Sequence, residues 1–173
     1  MLIENKDITL EGIFSAPTII EQGGMAELTR RKTIREKIVR LEEQLMKMEG
    51  DQIEIETNHH FSNGIYAREV FIPKGTLLTG KIHKTEHLNI LSKGDVSVLT
   101  EFGADRHEGH KTFISQPWTK RVVYAHEDSI WTVLHATNET DLEKIEDLVI
   151  ARNYDELDKL EAKELLVIES KGE

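Results

Sequence analysis

The spacing of the apolar residues changes near residue 50. Before that point apolar side chains recur mostly at steps of three and four, as on one face of a helix: Leu28, Ile34, Ile38, Leu41, Leu45 and Met48. After it, Gln52 to Thr57 alternates strictly between polar and apolar residues, which is typical of a half-buried strand. We therefore expect a helix from Met25 to Glu49, ended by Gly50-Asp51, and a β body beyond it.

Further runs of strand-forming residues follow as far as residue 136. They are Gly64–Ile72, Thr76–Ile82, Leu88–Leu91, Asp95–Glu101, Lys111–Ser115, Arg121–Ala125 and Ser129–Ala136. Turn signals rich in glycine, proline, asparagine and aspartate separate these runs at short, regular intervals. Together with the first alternating run, they predict a mainly β fold of short antiparallel strands, either a sandwich or a barrel.

The residues on either side of the β body predict appendages. Residues 1–24 have no long periodic segment and are interpreted as an arm with room for one short strand. After Ala136, Thr140 and Glu143 match a capping box and predict a helix, and a second helix start lies near Asn153. The expected organisation is an arm (1–24), an amphipathic helix (25–50), a β-barrel (51–137) and a helical C-terminal extension (138–173).

The helix at 25–50 leaves two alternatives open. Its apolar residues from Ile34 to Met48 lie on one face, which could pack on the chain's own domain. The same residues also fit about two heptads of a coiled coil, with charged residues on both sides. The coiled-coil interpretation predicts a homo-oligomer.

Composition excludes several classes of protein. No window approaches the roughly 20 consecutive apolar residues of a membrane span, and no secretory signal opens the chain, so we expect a cytoplasmic protein without membrane contact. A formal charge of −10 disfavours nucleic-acid binding, which needs clustered Lys and Arg. The chain has no cysteine, so any metal ion must bind His, Asp, Glu, Asn or water.

Two segments of the β body have the character of conserved motifs. In the first, the Pro73-Lys-Gly75 turn leads to His83 and His87 and then to an apolar strand that ends at Gly94. The second runs from Ile114 to Arg121 and continues into the strand after it. These two segments resemble the first and second conserved motifs of the cupin superfamily. The resemblance covers about residues 52–137 and implies a single cupin barrel, a double-stranded β-helix or jelly roll. The wider block also resembles small single-cupin proteins encoded by tailed bacteriophages, for which the site of action would be the host cytoplasm.

The residues at the family's metal-binding positions differ from the usual set. With Gly94 as the anchor, the carboxylate position falls on His87, the second histidine position on His83 and the first on Lys81. In the second motif Trp118 stands at the glycine position and Arg121 at the histidine position. The resemblance therefore implies a histidine-lined pocket with an altered set of ligands.

His83 and His87 are the first candidate ligands for a divalent metal ion such as Zn, Fe, Ni or Mn. Additional donors could come from His126, His135, Glu86 or Asn89. If residues 121–125 and 130–134 form a hairpin, Tyr124 and His135 share one face and Arg121 lies on the other. The pocket would then contain either a third imidazole or an anion-binding guanidinium, with Glu86, Asn89, Arg121 and Tyr124 as candidate ligand-binding residues.

The remaining histidines have simpler interpretations. His60 is expected to be a structural hydrogen-bonding residue near the start of a strand. His107 and His110 lie in a glycine-rich, acidic stretch that predicts a solvated hairpin loop.

Three functions are compatible with the sequence. The first is a cupin that binds a divalent metal and a small ligand, with any catalysis assisted by the metal. The second is a module that binds a small anion or nucleotide without chemistry, using Arg121 and Lys81, for example a phage protein that captures a host signalling nucleotide. The third is a structural or accessory virion protein that uses the cupin as a scaffold for self-assembly.

Overall fold

The computed structural model describes residues 9–15, 25–48 and 52–171. Its strands are β1 (Thr57–Ser62), β2 (Ile65–Ile72), β3 (Leu77–Thr79), β4 (Ile82–His83), β5 (His87–Lys93), β6 (Asp95–Thr100), β7 (Gly103–Glu108), β8 (Lys111–Ser115), β9 (Val122–Ala125), β10 (Ser129–Ala136) and β11 (Ile150–Ala151). Its helices are α1 (Leu10–Phe14), α2 (Met25–Lys47), α3 (Leu142–Val149) and α4 (Asp155–Lys171).

Two antiparallel sheets form the β body. The first has the strand order β1-β2-β10-β5-β8 and the second has the order β3-β9-β6-β7. Between β2 and β10 the main strands alternate between the two sheets, apart from the β6–β7 hairpin, which lies within the second sheet. This alternation makes an eight-stranded jelly roll, with β1 added at the edge of the first sheet. The fold class expected from the sequence, a mainly β jelly-roll (double-stranded β-helix) barrel with helices at its ends, is confirmed.

The two sheets enclose an apolar core. Its buried side chains come from both sheets: Ile72, Leu91, Val96, Val98, Val123, Ala125 and Trp131. On β10, Trp131, Val133 and His135 face inward, and on β5 His87, Asn89 and Leu91 do so, because alternate residues of a strand share a face. The apolar end of the barrel is thus continuous with a polar end that contains histidines.

Gly94 joins β5 to β6 at a position where only glycine fits. Its φ is +114°, and a Cβ atom would lie 2.1 Å from the Ser129 hydroxyl oxygen. Trp118, at the second position where the family has glycine, also has a positive φ, of +64°. Residue 118 therefore has the left-handed backbone conformation that favours glycine, although its side chain is an indole.

Helix α2 lies on the outer face of the second sheet. Ile34, Ile38 and Leu41 are buried against Leu99 and Val122. These three residues belong to the seam that could have formed a coiled coil, and they are used within the chain. This packing agrees with the interpretation of α2 as an amphipathic helix on its own domain, and the homo-oligomer expected from the coiled-coil alternative stays a prediction.

A buried ionic network also fixes α2 to the body. Arg35 contacts Glu101, whose side chain is fully buried, at 3.3 Å and Glu161 of α4 at 2.9 Å. The Lys120 ammonium group is 2.7 Å from a carboxylate oxygen of Glu42 on α2. Burial raises the pKa of Glu101, although the Arg35 guanidinium acts in the opposite direction.

Three local predictions were wrong. Gln52 to Glu56 forms no strand, because the hairpin at Asn63-Gly64 sets a register in which Thr57 faces Val70, close to the end of β2. Residues 103–108, expected to be a solvated loop, form strand β7, and His107 is buried against the Phe113 ring at 4.5 Å. The arm contains the short helix α1.

The C-terminal helices lie where the sequence predicts them, but the cap differs. Asp141, one residue after Thr140, is the N-cap of α3, and its carboxylate accepts hydrogen bonds from Glu143 N and Lys144 N. The helix end expected at Gly50-Asp51 and most of the arm lie outside the described residues. In the described part of the chain, no helix is long and apolar enough to cross a membrane.

Candidate functional site

Three histidines meet at the polar end of the barrel. His87 comes from β5 and His135 from β10, and these two strands are neighbours in the first sheet. His83 comes from the short strand β4, which pairs with β11 outside the two main sheets. The ring centroids are 4.3 Å apart for His83 and His87, 5.1 Å for His83 and His135, and 5.0 Å for His87 and His135. We call the space between them the histidine chamber.

All three imidazoles are neutral at physiological pH. Burial lowers the pKa of His83 to about 2, with further contributions from His87 and Arg121. Burial also lowers the pKa of His87 to about 4 and that of His135 to about 4, and the Arg121 charge acts in the same direction. Neutral imidazole is the form that binds metal ions. The rings are thus ready to donate lone pairs without first losing a proton.

One ring nitrogen of His83 has no partner. Its Nδ1 atom is buried and forms no hydrogen bond with the described residues. A buried polar atom without a partner is costly, and such atoms are often satisfied by an ion, a ligand or a water molecule. This atom is the strongest local indication that a further group belongs in the histidine chamber.

Arg121 lies next to the histidine chamber and is held by neutral side chains of the barrel interior. Its Nη1 donates to Asn89 Oδ1 at 3.0 Å, its Nη2 donates to the Ser115 hydroxyl, and its guanidinium lies 5.4 Å from the Trp131 ring centroid. Asn89 Oδ1 also accepts from Trp131 Nε1 at 3.1 Å. Burial lowers the pKa of Arg121 to about 10, so the group is still charged at neutral pH.

Arg121 has no acidic partner. It forms no ion pair with any carboxylate of residues 9–15, 25–48 or 52–171, and only 7% of the residue is exposed. Its contacts with Asn89, Ser115 and Trp131 are all to neutral groups. A buried charge normally pairs with an opposite charge, because removal of an ion from water is expensive. Glu101 acts on Arg121 only without such a contact, by raising its pKa against the effect of burial. The positive charge at the histidine chamber thus has no carboxylate in direct contact among the described residues.

The backbone fixes the orientation of His87. Its Nδ1 lies 2.9 Å from Thr85 O, so this nitrogen carries the proton and donates to the carbonyl. Nε2 then presents its lone pair to the histidine chamber, where Arg121 Nη2 lies 3.4 Å away. The nitrogen that a metal ion would use is thus in contact with the guanidinium.

The donor set fits a divalent transition metal. The candidate ligand nitrogens of His83, His87 and His135 lie within 4.8 Å of one another. Bonds of about 2.1 Å in tetrahedral geometry would bring such nitrogens to about 3.4 Å. A bound ion would therefore draw the three nitrogens closer together, and three neutral imidazoles suit Zn, Fe or Ni.

The structure brings together five of the eight candidate residues: His83, His87, His135, Asn89 and Arg121. Three others lie elsewhere. His126 Nε2 is 2.7 Å from the Ser97 hydroxyl, and the Tyr124 ring stands edge-on to His126 at 4.9 Å. Tyr124 shares a face with Val122, on the side of the second sheet that α2 covers. Glu86 is exposed in the turn between β4 and β5.

The hairpin expected for residues 121–134 does not exist, and this changes the pocket. Strand β9 pairs with β3 and β6, whereas β10 pairs with β2 and β5 in the other sheet. His135 and Arg121 consequently approach from opposite sheets and both face inward. The sequence suggested either a third imidazole or a guanidinium, and the structure contains both.

Sequence reasoning missed Ser115, Trp131, Tyr66 and Arg68. Ser115 lies opposite His87 in the β5–β8 register. Tyr66 stands opposite His135, with the rings stacked at 6.4 Å, and its hydroxyl is 2.7 Å from His59 Nδ1. Their strands were predicted, but which of the two faces points inward depends on the sheet partners. No local signal in the sequence supplies those partners.

The C-terminal extension closes the mouth of the barrel. Ile150 of β11 pairs with His83 of β4, and Ile145 and Val149 of α3 are buried against Tyr66. Lys84 N donates to Val149 O at 2.8 Å. The histidine chamber is thus bounded by the barrel below and by α3 and β11 above.

Comparisons with known proteins give only distant similarities. No protein-family profile matches the chain, and no curated protein matches it significantly. Among solved structures, an RmlC-like cupin from Shewanella frigidimarina is 16% identical, with a TM-score of 0.42, over 54% of this chain and 92% of that chain. An RmlC-like cupin family protein with a double-stranded β-helix fold from Methanocaldococcus jannaschii is 12% identical, with a TM-score of 0.40, over 52% and 86%.

A third similar structure is KdgF from Halomonas, at 17% identity and a TM-score of 0.44, covering 56% of this chain and 93% of that chain. The similarity in each case spans about half of this chain. The assignment of the fold rests on the strand order of the two sheets.

Proposed function

We propose that the histidine chamber binds a divalent metal ion through His83, His87 and His135 and holds a small anionic ligand beside it on Arg121. One observation carries the proposal: three neutral imidazoles and a charged guanidinium share a buried space without an acidic partner among the described residues. Metal ligation would use the ring lone pairs, that of His87 after Arg121 has moved away from Nε2, and an anion would supply negative charge beside the guanidinium.

Each of the surrounding residues has a defined part in this proposal. Thr85 O fixes the ring of His87, so that Nε2 points into the histidine chamber. Asn89 and Ser115 hold the guanidinium of Arg121, and Asn89 is itself fixed by Trp131. A bound metal would act as a Lewis acid that polarises an oxygen of the ligand. The chain's own side chains would bind and orient that ligand.

Metal analysis of protein purified without a histidine tag tests the proposal directly. We expect about one equivalent of zinc, iron, nickel or manganese per chain, as in a single mononuclear site. The double variant His83→Ala, His87→Ala should lose the metal. A matched control, His110→Ala with His126→Ala, removes two histidines outside the cluster and should retain it. Metal-free wild-type protein that also fails to take up added zinc or cobalt would refute the proposal.

The contact between Arg121 and His87 favours a second candidate, a metal-free anion-binding module. Arg121 Nη2 lies 3.4 Å from the His87 nitrogen that a metal would need. In this alternative the guanidinium remains there and the anion binds to it directly. A protein that captures a signalling nucleotide, as the resemblance to bacteriophage proteins suggests, would be one example.

A thermal-shift screen with nucleotides and sugar phosphates in the presence of EDTA separates the two candidates. Stabilisation that persists in EDTA and weakens in Arg121→Ala favours the metal-free module. Stabilisation that requires added metal favours the metal site. Because Arg121 is buried, circular dichroism of the variant should first establish that it is folded.

A further inference from the structure

A second arginine, Arg68, lies on the inward face of the barrel. On β2 it lies on the same face as Tyr66 and Val70, two residues away on either side. Tyr66 stacks on His135 and Val70 packs on the apolar core, so this face points inward. In the first sheet Arg68 stands opposite Val133, which in turn stands opposite Asn89. Arg68 is thus in the same transverse row of the sheet as the residue that holds Arg121.

The Arg68 guanidinium has no partner among the residues that the structure describes. It forms neither an ion pair nor a hydrogen bond with them, although the side chain is half-buried. Its charge nevertheless acts on the histidine chamber. The pKa of His83 is lowered mainly by burial and then by His87, Arg121 and His135, and Arg68 adds a smaller effect in the same direction. It likewise opposes the effect of burial on the pKa of Tyr66.

Two positive charges lie beside the histidine chamber, and the carboxylates that act on this region, Glu101 on Arg121 and Glu146 on Tyr66, form no ion pair with either arginine. Arg68 and Arg121 contribute two positive charges, and neither pairs with a described carboxylate. The three histidines are neutral, so they add no charge of their own. Two arginines that lie beside the histidine chamber, neither of them in an ion pair with a described carboxylate, fit a ligand that brings more than one negative charge.

We propose that Arg68 and Arg121 together bind a small dianion whose negative charges are carried on oxygen atoms, either a short dicarboxylate or a phosphate group. The inference rests on the proposed function, since it names the class of ligand for the same site. Arg121 would bind the buried end of the dianion, and Arg68 would bind the end nearer to Tyr66 and the outer strand β1. A guanidinium presents paired N–H donors to carboxylate or phosphate oxygens, which suits either ligand.

Malonate, inorganic phosphate and acetate are suitable probes, because they compare two kinds of dianion with a monoanion. Their affinities are measured by calorimetry or thermal shift on wild-type protein, once with EDTA and once after zinc loading. The test variant is Arg68→Gln, which removes one charge from a half-buried position. The matched control is Arg40→Gln, since Arg40 is an exposed arginine on α2 whose side chain is 75% accessible.

We expect malonate or phosphate to bind wild-type protein at least about tenfold more tightly than acetate, as expected for one additional charged hydrogen-bonded contact. In Arg68→Gln this preference should disappear, whereas Arg40→Gln should keep it. If the affinity for malonate falls more in Arg68→Gln, the ligand is a dicarboxylate, and if the affinity for phosphate falls more, it is a phosphate.

Two results overturn the inference: no binding of either dianion to wild-type protein, or an unchanged preference in Arg68→Gln. The metal proposal fails separately, by metal analysis of the wild type. If the protein binds no metal but loses its dianion preference in Arg68→Gln, the inference holds and only the metal proposal falls.

Discussion

Acid should destabilise this protein through the three histidines of the histidine chamber, and the buried His107, whose pKa is also lowered by burial, acts in the same direction. Their pKa values in the folded state are about 2, 4 and 4 for His83, His87 and His135, below the ordinary value of 6.5. The unfolded chain therefore takes up protons first as the pH falls. Their contribution to stability is fully present above pH 6.5 and is lost on acidification.

The magnitude follows from the pH interval. At about pH 5 all three rings are still largely neutral in the folded protein, whereas in the unfolded chain they are protonated. Each ring then costs about 2 kcal/mol relative to about pH 7.5, because one pH unit is worth about 1.4 kcal/mol per proton. The three together lower the free energy of unfolding by about 6 kcal/mol, which is a large part of the stability of an ordinary domain.

Urea unfolding between about pH 5 and pH 7.5, with EDTA present, measures this loss. Trp131 provides a fluorescence signal, because it is buried in the core beside Asn89. His135→Gln should reduce the loss between these two pH values by about 2 kcal/mol, the contribution of one ring. His110→Gln removes an exposed histidine and should leave it as in the wild type. A total loss below about 2 kcal/mol, or an unchanged pH dependence in His135→Gln, would refute the placement of three neutral histidines in the interior.

Two further predictions concern the framework of the site. Ile38 lies at the centre of the contact between α2 and the second sheet, so Ile38→Ala should lower the free energy of unfolding by about 2–5 kcal/mol at every protein concentration. The control is Met46→Ala, which removes a side chain that is 73% exposed and should change this free energy by under about 0.5 kcal/mol. A concentration-dependent loss would instead indicate a seam between chains. Gly94→Ala should destabilise the folded protein strongly, because the new Cβ would collide with Ser129. In the same denaturation assay the control Gly109→Ala, at φ +64° with open space around it, should lower the free energy of unfolding by only about 1 kcal/mol.

The sequence predicted most strands because alternation is clear wherever one face is solvated. Strands β8 and β10 have the expected bounds, and β9 begins one residue late. Strand β7 was missed because Asp105, Arg106 and Glu108 look like loop residues. They are instead charged side chains on an edge strand, where charge prevents pairing with other chains.

The candidate site was harder to predict because it depends on contacts between the two sheets. Val122 is as apolar and as buried as Val123, since α2 covers the outer face of β9. Alternation then no longer distinguishes the interior from the exterior. Arg68 illustrates the converse case, since a polar residue in a strand suggests solvent while the register turns it inward. Such assignments require knowledge of the partner strand, which lies far away in sequence.

The pairing of β11 with β4 has a consequence for where the functional unit ends. A chain shortened at residue 137, after the last strand of the jelly roll, would retain both main sheets but lose Ile150, the neighbour of His83. His83 would then lie on β4, a strand of two residues that would have lost its pairing with the C-terminal extension. The smallest portion of the chain that could be transplanted with its chemistry intact thus extends at least to Ala151, and residues 138–151 belong to the site as much as to its appendage.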